Sequence, residues 1–160
     1  MLVCTESPAL MRYGLFSHSE ERPNPVHQYT YACPLRWSDA DAYGHINNAQ
    51  FLSYMEEART RMFQEIVTTH EEGHRSNAFV VSRTIIDYRA PLFYGPEPVD
   101  VHVWVTRASA ATFELAYEIR GAEQMYVEAT TKIVAYNLDT GAPRRLSETE
   151  RAFVARYTKR

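Results

Sequence analysis

The chain has 160 residues and a mass of 18.5 kDa, a length typical of one domain rather than two. Hydrophobic residues make up 45% of it and charged residues 23%, which excludes a disordered or coiled-coil protein over most of the length. The formal net charge is −3, from 17 Lys and Arg against 20 Asp and Glu, so we expect no nucleic-acid partner.

Cysteine content and hydropathy indicate the compartment. Cys4 and Cys33 form neither a CxxC pair nor a disulfide framework, which is typical of a reducing environment. The sequence has no apolar run of about 18 residues, and its start has neither the basic nor the apolar segment of an export signal. We therefore expect a cytoplasmic protein without a membrane partner.

The first elements in chain order are an arm, a strand and a loop. Residues 1–26 mix Ser, Pro, His and charges without a period and predict an irregular arm before a domain at 27–160. The aromatic run at 28–36 predicts a strand, in which Pro34 requires an edge position or a bulge. A polar loop, WSDADAYGHINN, follows directly.

A long amphipathic helix is predicted over about 48–69. Asn47 suits the N-cap, and Gln50 stands three residues later as in a capping box. Arg59 interrupts the apolar face, with Glu56 one turn earlier, and the simplest interpretation is a snorkelling arginine. The predicted apolar face comprises Phe51, Leu52, Met55, Ala58, Met62, Phe63 and Ile66.

The period then changes from 3.6 to 2, which predicts antiparallel strands joined as a meander. The predicted strands are 79–89, 98–107, 111–120 and 125–137. A short final helix is indicated by Ser147 as the cap, with Glu150 three residues later. These elements predict an α+β domain whose sheet curls round one helix and whose remaining face or edge is covered by a second copy.

The loop before the long helix is the candidate chemical segment. It concentrates Asp39, Asp41, His45, Asn47 and Asn48. Backbone N–H groups near Asn48 and the following alanine would hold a developing oxyanion, because helix starts carry unpaired donors. A carboxylate just upstream would activate water or attack the acyl carbon directly.

Purely structural roles for the same loop residues also stay open. Asp and Asn before a helix are usually caps or turn formers, so Asp41 is alternatively such a residue, and Asp39 is an Asx-turn residue or a partner of Arg36. His45 is either a base or a hydrogen-bonding scaffold residue. Gly44 would allow a tight bend just before the helix.

The stretch RWSDADAYGHINNAQFLSYMEEAR, residues 36–59, resembles the signature of hotdog-fold acyl-CoA thioesterases of the 4-hydroxybenzoyl-CoA thioesterase type. That pattern reads roughly R-x-x-D-x-D-x-x-G-H-x-N-N followed by E-x-A-R. The similarity continues to about residue 146. It implies a curved antiparallel sheet of about five strands wrapped round one long central helix.

The resemblance also implies roles. The second aspartate of D-x-D, Asp41, is the catalytic carboxylate, and the backbone N–H near Asn48 polarises the thioester. Glu56 and Arg59 match E-x-A-R, for which we expect a role in holding the helix against the active-site loop. Members join their sheets edge to edge, so a homodimer or a dimer-of-dimers tetramer is expected. No metal and no cofactor beyond the CoA part of the substrate is expected.

Two further sets of residues are candidates for substrate contacts. CoA phosphates need local cations in a chain of this charge, and aromatic residues shape acyl pockets, although most aromatics are core. The phosphate candidates are Arg83, Arg89, Arg107, Ser109 and Thr112, and the pocket candidates are Tyr43, Phe51, Tyr54 and Tyr88.

Two alternative functions remain. One is enoyl-CoA hydration or dehydration, with His45 as base and Glu56 or Glu57 as acid, although the sequence motifs that such enzymes carry are absent. The other is a non-catalytic acyl-CoA-binding protein in which Asp41 is purely structural. The sequence does not identify the acyl group, or whether CoA or a carrier protein bears it.

Overall fold

The computed structural model describes residues 28–67 and 77–158. The predicted N-terminal arm lies outside this range, as does the predicted end of the long helix. The elements are β1 (Tyr29–Cys33), a 3-10 turn (Trp37–Asp39), α1 (Gln50–Val67), β2 (Asn77–Tyr88), β3 (Val99–Ala108), β4 (Thr112–Arg120), β5 (Met125–Asn137), β6 (Ala142–Pro143) and α2 (Glu148–Arg156).

The strands form one antiparallel sheet in the order β1-β3-β4-β5-β2, with the short β6 on β5. The predicted meander is confirmed for β3, β4 and β5 but is wrong for β2, which pairs with β5 at the end of the sheet. The segment 89–98 therefore does not form a hairpin. It runs beside the polar loop instead, where Ile46 N–H donates to the Leu92 carbonyl at 2.7 Å and His45 bridges to Phe93.

The start of α1 differs from the predicted capping box. The Asn47 side chain accepts from the Ala49 N–H at 3.0 Å rather than from the N–H of Gln50, which bonds to the Asn47 carbonyl at 2.9 Å. The side-chain bond thus spans two residues, as in an Asx-turn. Consequently the helix begins at Gln50, two residues after the predicted position.

The core lies between α1 and the inner face of the sheet. Met55, Ala58 and Met62 are at most 1% exposed, and they belong to the same buried cluster as the inward side chains of β3 and β4. Leu52, expected in the apolar face, is 47% exposed. At about 100° per residue it lies about 60° from Met55, at the margin of the buried face.

The C-terminal helix is confirmed with its cap. The Ser147 hydroxyl accepts from the Glu150 N–H at 3.2 Å, and the Glu150 carboxylate accepts from the Ser147 N–H at 2.7 Å. The architecture is thus an antiparallel sheet with helices, while the finer picture of a sheet wrapped round one long helix stays a prediction. No helix in the described ranges is long and apolar enough to cross a membrane.

Candidate active site

The loop carrying Asp41 is closed by its own backbone. One carboxyl oxygen, Oδ1, accepts from the N–H groups of Tyr43 at 2.8 Å and His45 at 3.2 Å. The Asp41 N–H donates to the His45 carbonyl at 2.7 Å, and Gly44 turns the chain with φ +79°. Within the described ranges no donor is bonded to the second carboxyl oxygen, Oδ2. The turn therefore orients the carboxylate by one oxygen only.

Asp39 connects this loop to α1. Its carboxylate is buried and accepts from the Tyr54 hydroxyl at 2.7 Å and from Arg36 Nε at 3.2 Å, while its carbonyl accepts from the Asn47 N–H at 2.8 Å. Burial alone would raise the pKa of Asp39, but the bonds from Tyr54 and Arg36 hold that pKa below its ordinary value. Asp39 is accordingly a charged anchor beneath the loop.

The peptide before α1 is held at both of its polar groups. Asn47 Oδ1 accepts from the Ala49 N–H at 3.0 Å, and the Tyr88 hydroxyl donates to the Asn48 carbonyl at 3.1 Å. By contrast, the Asn48 N–H has no acceptor among the described residues. Of the two amides expected to hold an oxyanion, that of Ala49 is therefore engaged and that of Asn48 is available.

Asp41, His45 and Asn48 line one cavity of about 460 Å³. The rings of Phe51 and Tyr88 also line it and meet edge to face, with centroids 5.8 Å apart. The segment after β2 completes the wall, which the sequence pattern did not predict. These additional lining residues are Arg89, Ala90, Pro91 and Leu92.

Two of the four predicted acyl-pocket residues lie elsewhere. Tyr43 is 84% exposed on the loop, because its contribution is the N–H that binds Asp41. Tyr54 is 1% exposed in the core, and its hydroxyl is bound to Asp39. Burial raises the pKa of the Cys33 thiol to about 11, so this cysteine carries no nucleophilic thiolate near neutral pH.

Glu56 of the E-x-A-R element lines a cavity together with Arg36, and the expected role of Glu56 and Arg59 in holding the helix against the active-site loop stays a prediction. Arg59 lies 3.8 Å from Glu56 and near the buried hydroxyl of Tyr117, whose pKa burial raises. Arg59 thus lies on the side of α1 that meets Tyr117 of β4, whereas the Tyr54 hydroxyl bonds to Asp39 of the loop. Glu56 and Glu57 line a different cavity from His45, so the pair needed for a hydratase is not assembled.

The phosphate candidates divide into two groups. Arg83, Arg107, Ser109 and Thr112 line one cavity of about 300 Å³ on the face of the sheet opposite α1. Arg89 stands apart, with Nε 2.6 Å from the Glu128 carboxylate.

Lys132 joins the first group as a residue that sequence reasoning missed. It pairs with Arg83 across β2 and β5, just after a bulge between Val81 and Arg83. The signal in the sequence is the alternation of β5, which places Lys132 on the outer face. The bulge and the register, which sequence does not reveal, decide its neighbour.

Comparison with known proteins identifies the family. The model of the thioesterase-like superfamily matches residues 35–155. The chain belongs to this superfamily. The expectation of a hotdog-fold thioesterase is confirmed, and the protein is a thioester hydrolase.

Individual relatives of this thioesterase are distant. A 1,4-dihydroxy-2-naphthoyl-CoA hydrolase of Crocosphaera subtropica is 28% identical over 68% of this chain and 82% of its own length. The crystal structure of a 1,4-dihydroxy-2-naphthoyl-CoA thioesterase from Synechocystis has a TM-score of 0.68 at 26% identity, covering 80% of this chain and 96% of that one. A predicted thioesterase from Bacillus stearothermophilus has a TM-score of 0.74 at 23% identity, covering 82% and 97%, and shows the fold alone.

Proposed function

We propose that this thioesterase hydrolyses an acyl-CoA to the free acid and CoA, with Asp41 as the reacting carboxylate. The observation that carries the proposal is the shared cavity: Asp41 and Asn48 line the same space, the first with an unengaged carboxyl oxygen and the second with an unengaged backbone N–H. A thioester carbonyl placed between them meets a donor at its oxygen and an oxygen nucleophile at its carbon.

Two routes use this arrangement. In the first, Asp41 takes a proton from water while that water attacks the acyl carbon, and the thiolate of CoA leaves. In the second, the carboxylate attacks the carbon directly, expels the thiolate, and leaves a mixed anhydride that water then cleaves. His45, at the cavity edge, is a second candidate proton acceptor. Neither route uses a cofactor beyond the CoA part of the substrate.

The decisive test is thiol release from a panel of acyl-CoA substrates by wild type and Asp41→Asn. The amide introduced by this change retains an oxygen for the N–H groups of Tyr43 and His45, so the turn is preserved while the charge is removed. We expect kcat to fall by about 10²- to 10⁴-fold. The matched control is Asp139→Asn on the exposed turn after β5, which should retain full activity.

Full activity in Asp41→Asn, or no release from any acyl-CoA, would overturn the proposal. A single turnover in water enriched in oxygen-18 then identifies the anhydride route if the label enters Asp41, because this happens only when water opens the anhydride at the Asp41 carboxyl carbon. The panel should begin with aromatic acyl groups, since the named relatives act on 1,4-dihydroxy-2-naphthoyl-CoA and the rings of Phe51 and Tyr88 offer aromatic contacts.

We also propose that the functional unit is a homodimer joined at β2. This strand ends the sheet without a partner on its outer edge among the described residues, and it extends for 12 residues. Val81, Ile85 and Tyr88 along it are 45–48% exposed, which is unusual for a solvated edge strand. A second copy pairing antiparallel would cover these side chains, and dimers would pair further into a tetramer.

The alternative of a non-catalytic acyl-CoA-binding protein predicts tight binding without turnover in the same panel. Hydration of an enoyl thioester predicts loss of enoyl absorbance with crotonyl-CoA. The separation of His45 from Glu56 and Glu57 into different cavities disfavours this reaction.

A further inference from the structure

The segment that follows β2 forms a small antiparallel ladder with the active-site loop. Within the loop Ala40 bridges to Ile46, and His45 bridges across to Phe93. The Ile46 N–H also donates to the Leu92 carbonyl at 2.7 Å, and the side chains of both residues are buried. The loop is therefore held by a neighbouring segment and not only by its own bonds.

His45 is the residue through which this ladder reaches Asp41. Its N–H donates to Asp41 Oδ1 at 3.2 Å, and its carbonyl accepts from the Asp41 N–H at 2.7 Å. Both polar groups of the His45 backbone are thus bonded to Asp41, so a shift of this backbone would move the carboxylate. The other donor to Oδ1 is the N–H of Tyr43, an exposed residue within the turn itself. The contacts that hold His45 consequently decide where Oδ2 of Asp41 points.

The imidazole of His45 packs against the ring of Phe93. The two ring centroids are 4.6 Å apart, and the planes meet edge to face at 74°. The backbone bond of this bridge joins the neighbours Ile46 and Leu92, so His45 and Phe93 are a non-hydrogen-bonded pair, the arrangement in which side chains approach most closely. The imidazole has no hydrogen-bond partner in the described part of the chain. The contact with Phe93 is therefore what orients it.

The contact with His45 also distinguishes Phe93 from its neighbour. Phe93 is 59% exposed, so burial of its ring in the core contributes little. Tyr94, the next residue, is exposed to a similar degree but packs against no other ring in the ranges that the structure describes. The two adjacent aromatic residues thus differ in their contact with the active-site loop.

The same stretch of chain holds the other proposed reacting group. At its start the Tyr88 hydroxyl donates to the Asn48 carbonyl at 3.1 Å, and at its end Phe93 packs on His45. Residues 88–93 therefore contact both sides of the space in which a thioester carbonyl would lie. Of the described residues that line this cavity, Leu92 is the last in the chain, so Phe93 acts from outside it.

Resting on the proposed function, we infer that Phe93 is a positioning residue for thioester hydrolysis. Its ring holds the His45 imidazole, and through the His45 backbone it keeps Oδ2 of Asp41 directed at the acyl carbon. Precise placement of a reacting group is used in the transition state more than in substrate binding, so the effect belongs in kcat and not in KM.

The kinetic test measures thiol release by Phe93→Ala and Phe93→Tyr with the best acyl-CoA of the panel. An edge-to-face aromatic pair corresponds to about 2- to 10-fold in an equilibrium constant, so we expect kcat of Phe93→Ala to fall by about 2- to 10-fold at nearly unchanged KM. Phe93→Tyr retains the ring and should retain the wild-type kcat. The matched control is Tyr94→Ala, which removes the adjacent exposed ring and should leave both constants unchanged.

A wild-type kcat in Phe93→Ala, or an equal loss in Tyr94→Ala, would overturn the inference. A raised KM at unchanged kcat would overturn it as well, because Phe93 would then contribute to substrate binding and not to the position of Asp41.

Hydrogen exchange of the Asp41 amide tests the same contact without turnover, since this N–H donates to the His45 carbonyl. Exchange should be about 2- to 10-fold faster in Phe93→Ala. The amide of Arg151 in α2, which donates to the Ser147 carbonyl at 3.0 Å, should exchange as in wild type. His45→Ala should also speed exchange at Asp41, and adding Phe93→Ala to it should bring no further increase, because both changes remove one contact. An additive increase would contradict the route through His45.

The failures of the two proposals are distinguishable. Hydrolysis of acyl-CoA with a wild-type kcat in Phe93→Ala leaves the proposed function intact and removes the positioning role. Faster exchange at Asp41 in Phe93→Ala, with no cleavage of any thioester by wild type, removes the proposed hydrolysis and the role of Phe93 in it. Phe93 would then only order the turn that carries Asp41.

Discussion

The hydroxyl of Tyr88, at the end of β2, donates to the backbone carbonyl of Asn48 at 3.1 Å. The edge strand thereby fixes the residue whose N–H is the available donor in the active-site cavity. The same strand is the proposed dimer edge, so β2 connects substrate positioning with assembly.

Replacing Tyr88 by Phe removes this bond and retains the ring. A net hydrogen bond of about 0.5–1.5 kcal/mol corresponds to a decrease in kcat of about 2- to 10-fold, with a smaller change in KM, because the amide would be misplaced chiefly in the transition state. Steady-state kinetics measure this, with Tyr94→Phe as the exposed control. A raised KM at unchanged kcat would instead show that Tyr88 only lines the cavity and does not position the amide in the transition state.

Tyr54→Phe tests the anchor beneath the loop. The change leaves the buried carboxylate of Asp39 with one donor fewer, which should lower the free energy of unfolding at pH 7 by about 1–3 kcal/mol. Urea denaturation measures this, and Tyr43→Phe, with its exposed ring, should be neutral.

The same variant has a defined pH dependence. The folded-state pKa of Asp39 is depressed, so its stabilisation is present above the unfolded value of about 3.9 and is lost as pH falls through the folded value. The deficit of Tyr54→Phe should therefore be full at neutral pH and shrink below about pH 4. A deficit that is constant down to pH 2 would show that the lost bond does not act through the charge of Asp39.

The elements of this fold were predictable where local patterns decide them. The alternation of Phe113, Leu115, Tyr117 and Ile119 fixes β4, and the cap pair of Ser147 with Glu150 fixes α2. The partner of β2 was not predictable, because both β3 and β5 offer compatible alternating strands and the choice rests on the course of residues 89–98.

The candidate site shows the same division. The spacing of Asp41 and Asn48 about the helix start placed both near one cavity. The engagement of Ala49 by Asn47, and the burial of Tyr54 against Asp39, depend on side-chain orientation. The sequence offers several acceptors and several aromatic residues, and only the packed structure selects among them.

Glu150 should be essential for attaching α2. Its carboxylate receives two bonds of 2.7 Å from the guanidinium of Arg144 and one of 2.7 Å from the Ser147 N–H, and it is only 3% exposed. Glu150→Ala leaves Arg144 without its partner at a largely buried site, which should cost about 3–5 kcal/mol in the free energy of unfolding.

Thermal and chemical denaturation measure this loss, and Glu148→Ala, an exposed residue in the same helical turn, is the control. Burial would raise the pKa of Glu150, but Arg144 and Ser147 lower it, so the stabilisation is present above the unfolded value of about 4.3 and is lost in acid. Equal stability of both variants at pH 7 would contradict the assignment.

Val81→Lys tests the β2 edge as the dimer interface. Val81 is 46% exposed and stands beside the bulge of the strand, so a monomer accepts a lysine there readily. Two antiparallel copies of β2 would bring two such lysines close together, and burying their charges disfavours association.

Sedimentation velocity should show wild type as a dimer or tetramer and Val81→Lys shifted to monomer at the same concentration. Trp37→Lys, which places a charge on the exposed 3-10 turn, should sediment as wild type. If wild type is a monomer, or if Val81→Lys assembles as wild type does, the β2 edge is not a dimer interface.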